Sequence, residues 1–132
     1  MPLGTQSINA ITFFTADMAS SVRFYEALGF DVVFGGPFEP FTSMAGLRDA
    51  HGNATHFVNL QVQSDFVAQG LWGRVIFHTA TLDGVDQLHD AAIEAGFTPE
   101  MAPSDAPWGE RYFHLRDPSG HELSFAHRLD AH

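Results

Sequence analysis

The sequence predicts an α+β protein made of two copies of a βαβββ module, and three observations predict it. Residues 8–30 and 74–97 read alike, as a strand, an acidic helix cap, a helix and then Gly-Phe. Each copy is followed by sequence able to supply three more strands. Gly and Pro clusters separate those runs where tight turns belong. In the first copy, residues 8–16 alternate as a strand, and Asp17 is placed to cap a helix whose Met18, Val22, Tyr25 and Leu28 recur at helical spacing. Gly29 falls where a helix ends, and strands are expected over about 31–35, 41–47 and 55–63. In the second copy, residues 74–80 form the strand, Asp83 the expected cap, and Val85, Leu88, Ala92 and Ala95 the apolar stripe, with Gly96-Phe97 closing the helix. Strands are expected over about 97–102, 110–116 and 121–127, the last two joined by the tight turn Asp117-Pro118-Ser119-Gly120. Module one therefore spans about 7–63, a linker about 64–73, and module two about 74–128, within a single domain of 132 residues. The helices cover one face of a curved sheet, and the other face is covered by a partner copy or left as a cup.

Composition narrows the function. Sixteen acids against six bases give a formal charge of −10, which argues against nucleic acid and anionic membranes as partners. Every base is Arg; with no Lys there is no Schiff-base chemistry, and with no Cys there is no thiolate nucleophile or disulfide. No apolar run approaches the ~20 residues of a membrane span. The first residues lack a basic stretch followed by an apolar core, so a cytoplasmic location is expected. Phe occurs 13 times, more than a core this small buries readily, so some rings are expected to line a cavity or an interface.

The stretch "TADMASSVRFYEALGF" resembles the opening signature of the vicinal oxygen chelate superfamily, which includes glyoxalases, extradiol dioxygenases and bleomycin-resistance proteins. "PWGERYFHLRDPSGHELSF" is similar to the closing hairpin of that superfamily, most of all in its bleomycin-resistance-like branch. The resemblance runs from about Ile8 to His127 and implies paired βαβββ modules in an open, cup-shaped barrel, assembled as a homodimer. Metal enzymes of the superfamily carry ligands at four cup-facing points, which fall here on Ala10, Asn59, Arg74 or Ile76, and Ser124. Ala10 and Ile76 have no donor, Arg74 is a permanent cation, and Asn59 and Ser124 are weak ligands, so that site reads as dismantled.

Strand alternation then proposes what faces the cup. In module one these are Phe14 and Phe57 with Thr12, Asn59 and Gln61; in module two, His78 with Ile76, His114 with Tyr112 and Arg116, and Glu122 with Ser124. Trp108 sits on the loop entering the penultimate strand, a rim position, while Phe38, Phe41 and Trp72 come from segments that can close over a ligand, Trp72 and Phe66 being equally suited to a dimer interface. His51, His89 and His132 read as solvent-facing, and His56, His121 and His127 carry no argument. The sequence favours a binder without metal or other cofactor, taking an aromatic or cationic small molecule between aromatic walls. The ligand set is Phe14, Phe57, Asn59, His78, Trp108, Tyr112, His114, Glu122 and Ser124. The alternative is a dioxygenase, lyase or isomerase using an atypical metal site of His78, His114 and Glu122, which requires the three donors to meet at about 2 Å from one ion. Two options remain: a metal-free acid–base enzyme with His114 as base and Glu122 as its orienter, and a scaffold or part of a biosynthetic complex whose cup is filled by its own side chains.

Overall fold

The computed structural model describes residues 3–67 and 73–129. Trp72 and His132 lie outside the described residues. The chain divides into two compact units, Met1–Ser64 and Asp65–His132. The first runs β1 (Ala10–Thr15), α1 (Met18–Ala27), β2 (Asp31–Phe34), β3 (Phe41–Ala45) and β4 (Phe57–Val62). The second runs β5 (Val75–His78), α2 (Asp83–Glu94), β6 (Ser104–Asp105), β7 (Glu110–Arg116) and β8 (Glu122–Arg128). Each unit is one mixed sheet, ordered β1-β4-β3-β2 and β5-β8-β7-β6, in which the first strand lies parallel to the last and the remaining pairs are antiparallel. This is the predicted pair of βαβββ modules.

In the first unit Asp17 caps α1 by accepting the Ser20 N–H at 3.1 Å, and the predicted stripe of Met18, Val22, Tyr25 and Leu28 is buried. Tyr25 is the centre of that core, with Phe13, Phe24 and Phe30 rings around it at 4.9–6.2 Å. Met44, Val58 and Leu60 of the sheet are fully buried on the same side. In the second unit Phe113, Leu115, Leu123 and Phe125 form the corresponding layer, with Val85 and Ala92 of α2 buried. Stacked rings run from Phe77 to Phe125 to Phe113, each step 5.4 Å. Both helices end alike: Gly29 and Gly96 take φ 93° and 94°, a left-handed conformation that other residues adopt only at a cost. Their following Phe N–H groups bond back to the Tyr25 and Ala92 carbonyls.

The repeat also reaches the turns. Asp49 Oδ1 accepts from the His51 and Asn53 N–H groups, and Asp117 Oδ1 accepts from those of Ser119 and His121. The same aspartate-anchored hairpin thus precedes the last strand of each unit.

Three expectations are corrected. Asp83 is the first residue of α2 rather than its cap; Thr81 Oγ1 accepts the Gly84 N–H at 3.0 Å, leaving Asp83 and Asp86 in the first turn, where the helix dipole favours acids. The strand expected over 97–102 is absent, and β6 is two residues further along. Pro99 and Pro103 remove ladder donors, and the backbone bond from that stretch to β7 among the described residues runs from Glu100 N–H to the His114 carbonyl. His89 is not solvent-facing: its side chain is 14% exposed and stands edge-on to Phe113 at 5.3 Å.

Candidate functional site

Alternation along the strands gives each sheet a face turned away from its helix, and the chemistry collects there. In the first unit the register sets Thr12, Asn59 and Ser43 side by side on β1, β4 and β3. Ser43 Oγ donates to Asn59 Oδ1 at 2.7 Å, and Asn59 Nδ2 donates to Thr12 Oγ1 at 3.4 Å. This neutral polar row is flanked by rings. Phe57 lies beside Ala10 and Ala45 on one side, and Phe14, Gln61 and Phe41 align on the other. A bulge between Val32 and Phe34 sets Phe34 opposite Ser43, with its ring 6.4 Å from that of Phe41. Phe14 and Phe34 are 42% and 66% exposed, so both rings have surface open to a ligand.

The equivalent face of the second unit is charged and forms three rows. In the outermost, Arg74 Nη2 donates to Glu122 Oε1 at 2.9 Å, Arg116 lies 3.9 Å from the same oxygen, and Arg116 Nε donates to Glu100 at 2.9 Å. Two arginines and two carboxylates balance, which lets the Glu122 side chain be 7% exposed without an isolated buried charge. In the middle row Ser124 lies between Ile76 and His114. Its hydroxyl donates to the Phe113 carbonyl at 3.3 Å and lies within hydrogen-bond distance of His114 Nδ1 at 3.2 Å. Burial, and then the Arg74 charge, hold His114 below its ordinary pKa, against opposing pulls from Glu100 and Glu122. In the third row are His78, Ala126 and Tyr112. His78 Nε2 lies 3.5 Å from Glu110 Oε2, and Trp108 Nε1–H donates to Glu110 Oε1 at 3.1 Å. Trp108, 68% exposed in the β6–β7 turn, tilts over Tyr112 at 5.7 Å, and Tyr112 over His114 at 5.0 Å.

The structure therefore places Phe14, Phe57 and Asn59 on the open face of one sheet, and His78, Tyr112, His114, Glu122 and Ser124 on that of the other, with Trp108 at its edge. It does not bring His78, His114 and Glu122 to one point. Each has a different partner: Glu110, Ser124 and Arg74 respectively. His114 is thus oriented by Ser124 and not by Glu122. Among the described residues no three His, Asp or Glu side chains gather as a ligand set. The superfamily positions fit a metal no better: Ala10 and Ile76 carry no donor, Arg74 is ion-paired, and the Ser124 hydroxyl is engaged with its neighbours. Sequence reasoning missed Phe34, hidden by the bulge, and Glu110, which the parity of Tyr112 and His114 would have found.

Beneath the second sheet, on its helix side, Arg111 grips Asp86 of α2 with Nε and Nη2 at 2.7 and 3.1 Å, and Asp105 of β6 at 2.8 Å. The hydrogen bond to Asp86 raises the Arg111 pKa, and the same bond lowers that of Asp86.

A family model described as Glyoxalase/Bleomycin resistance protein/Dioxygenase superfamily matches residues 7–125. No curated protein sequence matches the chain. Among solved structures, a glyoxalase/bleomycin resistance protein/dioxygenase from Nocardioides aligns at TM-score 0.72 and 17% identity, covering 99% of this chain and 89% of that one. The bleomycin resistance determinant encoded on transposon Tn5 aligns at 0.69 and 18%, covering 93% and 98%. TioX from Micromonospora sp. ML1 aligns at 0.67 and 20%, covering 94% and 100%. At these identities the likeness is one of fold.

Proposed function

The chain belongs to the Glyoxalase/Bleomycin resistance protein/Dioxygenase superfamily, and from that premise we propose that it is a small-molecule binding protein that sequesters a planar, aromatic ligand without a metal. One observation carries this reading: the helix-free face of the first sheet presents Phe14, Phe34, Phe41 and Phe57 around the neutral row Thr12–Asn59–Ser43. Rings supply stacking area, and the hydroxyl and amide groups supply the few directional contacts that fix orientation. Phe14, Phe57, Asn59, Tyr112, His114, Ser124 and Trp108 are the contact residues in this reading. His78 stands beside Glu110 at the same face, and Glu122 acts on the ligand through Arg74, its partner. A small-molecule role has precedent in the bleomycin resistance determinant that shares the fold. Sequestration asks only for tight stoichiometric binding, so no activated nucleophile or acid–base pair is needed. We propose a homodimer as the working assembly, to be read by sedimentation equilibrium.

The test is isothermal titration with a panel of neutral and cationic planar aromatic compounds, beside elemental analysis of protein prepared without chelator. Saturable binding at fixed stoichiometry by metal-free protein is expected. A stoichiometric divalent metal, lost on changing His78 or His114, would overturn the reading in favour of the enzyme alternative.

A further inference from the structure

On the open face of the second sheet, Glu122 is neutralised by Arg74 and Arg116, and its neighbour Glu100 by Arg116. Glu110 has no such partner. Its contacts are the neutral Trp108 N–H and the His78 imidazole, and Arg128, opposite it in the ladder, forms no ion pair with it among the described residues. The carboxylate is not loose, however. The indole N–H fixes one oxygen, His78 faces the other, and the side chain is 29% exposed. The turn that carries Trp108 is closed at both ends, by Gly109 N–H to the Ala106 carbonyl and by Ala106 N–H to the Glu110 carbonyl at 2.7 Å. The Trp108 ring stands next to this carboxylate, and the Tyr112 ring, two residues along the same face of β7, lies 5.7 Å from Trp108. A held carboxylate beside an exposed indole and a half-buried phenol ring is the chemistry that recognises an organic cation: the rings attract positive charge through their quadrupole, and the carboxylate completes its neutralisation. The indole N–H cannot do that, because it only donates a hydrogen bond.

We infer that Trp108, Glu110 and Tyr112 form a subsite for an alkylated ammonium group on the ligand, with His78 closing its far side. The inference rests on the ligand-binding reading above and deepens it. The charge of −10 adds attraction for a cation at long range, but the specificity resides in these residues.

The experiment is an NMR titration of the full chain labelled with nitrogen-15, reading the Trp108 indole N–H signal, assigned by its loss in Trp108→Phe. The probes are choline and dimethylbutanol, its neutral carbon isostere, followed by naphthol as a neutral arene. Choline is expected to move the signal saturably and to bind roughly tenfold more tightly than its isostere. Glu110→Gln should abolish that preference, whereas Glu94→Gln, which removes the same charge from the exposed side of α2, should keep it. Equal binding of choline and dimethylbutanol, or a preference that survives Glu110→Gln, overturns the cation subsite. If naphthol still binds in that case, the binding reading stands without it. If neither naphthol nor choline binds, both fall.

Discussion

Replacing Trp108 by Ala separates a ligand-facing ring from a structural one, because the structure assigns the indole very little of the second kind of work. The side chain is 68% exposed, and its contacts are one exposed hydrogen bond to Glu110 and a tilted approach to Tyr112. Losing these costs under about 1 kcal/mol of stability, a shift of a few degrees in Tm. Binding is different. A planar ligand that covers one face of the exposed indole removes ~80 Å² of apolar surface from water, worth about 2 kcal/mol at ~25 cal/mol per Å². Kd for a neutral planar ligand should therefore rise about thirtyfold, with the melting curve almost unmoved. Trp108→Phe keeps a ring and should recover most of the affinity. The assay is isothermal titration, since the substitution removes one of the two indoles that fluorescence would read. A Kd changed by less than about twofold, for a ligand bound stoichiometrically by the unaltered protein, would remove Trp108 from the site and refute the argument from its exposure.

Other positions give equally direct readings. Phe113→Ala takes out a fully buried ring between Phe125 and His89, and should lower stability by about 3–5 kcal/mol in denaturant titration. Arg111→Ala leaves Asp86 and Asp105 without their cation; with Asp86 half exposed, the loss should be about 1 kcal/mol in the same titration and smaller in high salt. Asn59→Ala breaks the link between Ser43 and Thr12, and should weaken binding of a polar planar ligand by about 1 kcal/mol while changing that of an unsubstituted arene little. His114 has a sign that can be worked out. Its pKa is lowered in the fold, so the unfolded chain binds its proton first, and the stability gained from the neutral form is lost as pH falls through the ordinary imidazole value of 6.5. The difference in Tm between the unaltered protein and His114→Asn should therefore narrow from pH 8 to pH 5.

The sequence carried the fold well because the signals were local and occurred twice. The Asp17 cap, the stripe of α1 and the two Gly-Phe helix ends each depend on a few adjacent residues, and finding them at matching positions made the modules readable. Strand parity carried the faces too, since Phe14 and Asn59 on one sheet, and Tyr112 and His114 on the other, lie as alternation places them. Parity says nothing about which row a side chain joins, and that is where the reading stopped. Glu122, His114 and His78 share a face, yet the register gives Glu122 to Arg74, His114 to Ser124 and His78 to Glu110. Register is fixed by turn geometry and bulges, so Phe34 was lost when one extra residue in β2 reset the alternation. The absent strand at 97–102 has the opposite cause: its apolar residues were visible, but the missing N–H groups of Pro99 and Pro103 outweighed them.

The two open faces show what the repeat has been used for. Position by position, the registers equate Asn59 with Ser124, Ser43 with His114, Phe57 with Glu122, Ala10 with Arg74, Phe14 with His78 and Phe41 with Tyr112. The helix-side layers of both units are largely apolar, as a shared fold requires, while in four of these six pairs a non-titrating residue of the first unit is matched by a Glu, an Arg or a His in the second. In all four the titratable side chain is in the second unit, and the first presents rings, amides and hydroxyls. Exchanging Phe57 for Glu would test this division. Without an arginine at position 10 the new carboxylate stands beside Ala10 and Ala45, where Glu122 has Arg74 and Arg116 in the other unit. Phe57→Glu alone should destabilise the first unit by about 1–3 kcal/mol, and Ala10→Arg added to it should restore part of that loss. If the single change is tolerated as well as the double, the faces are interchangeable surfaces and the division of labour between them does not hold.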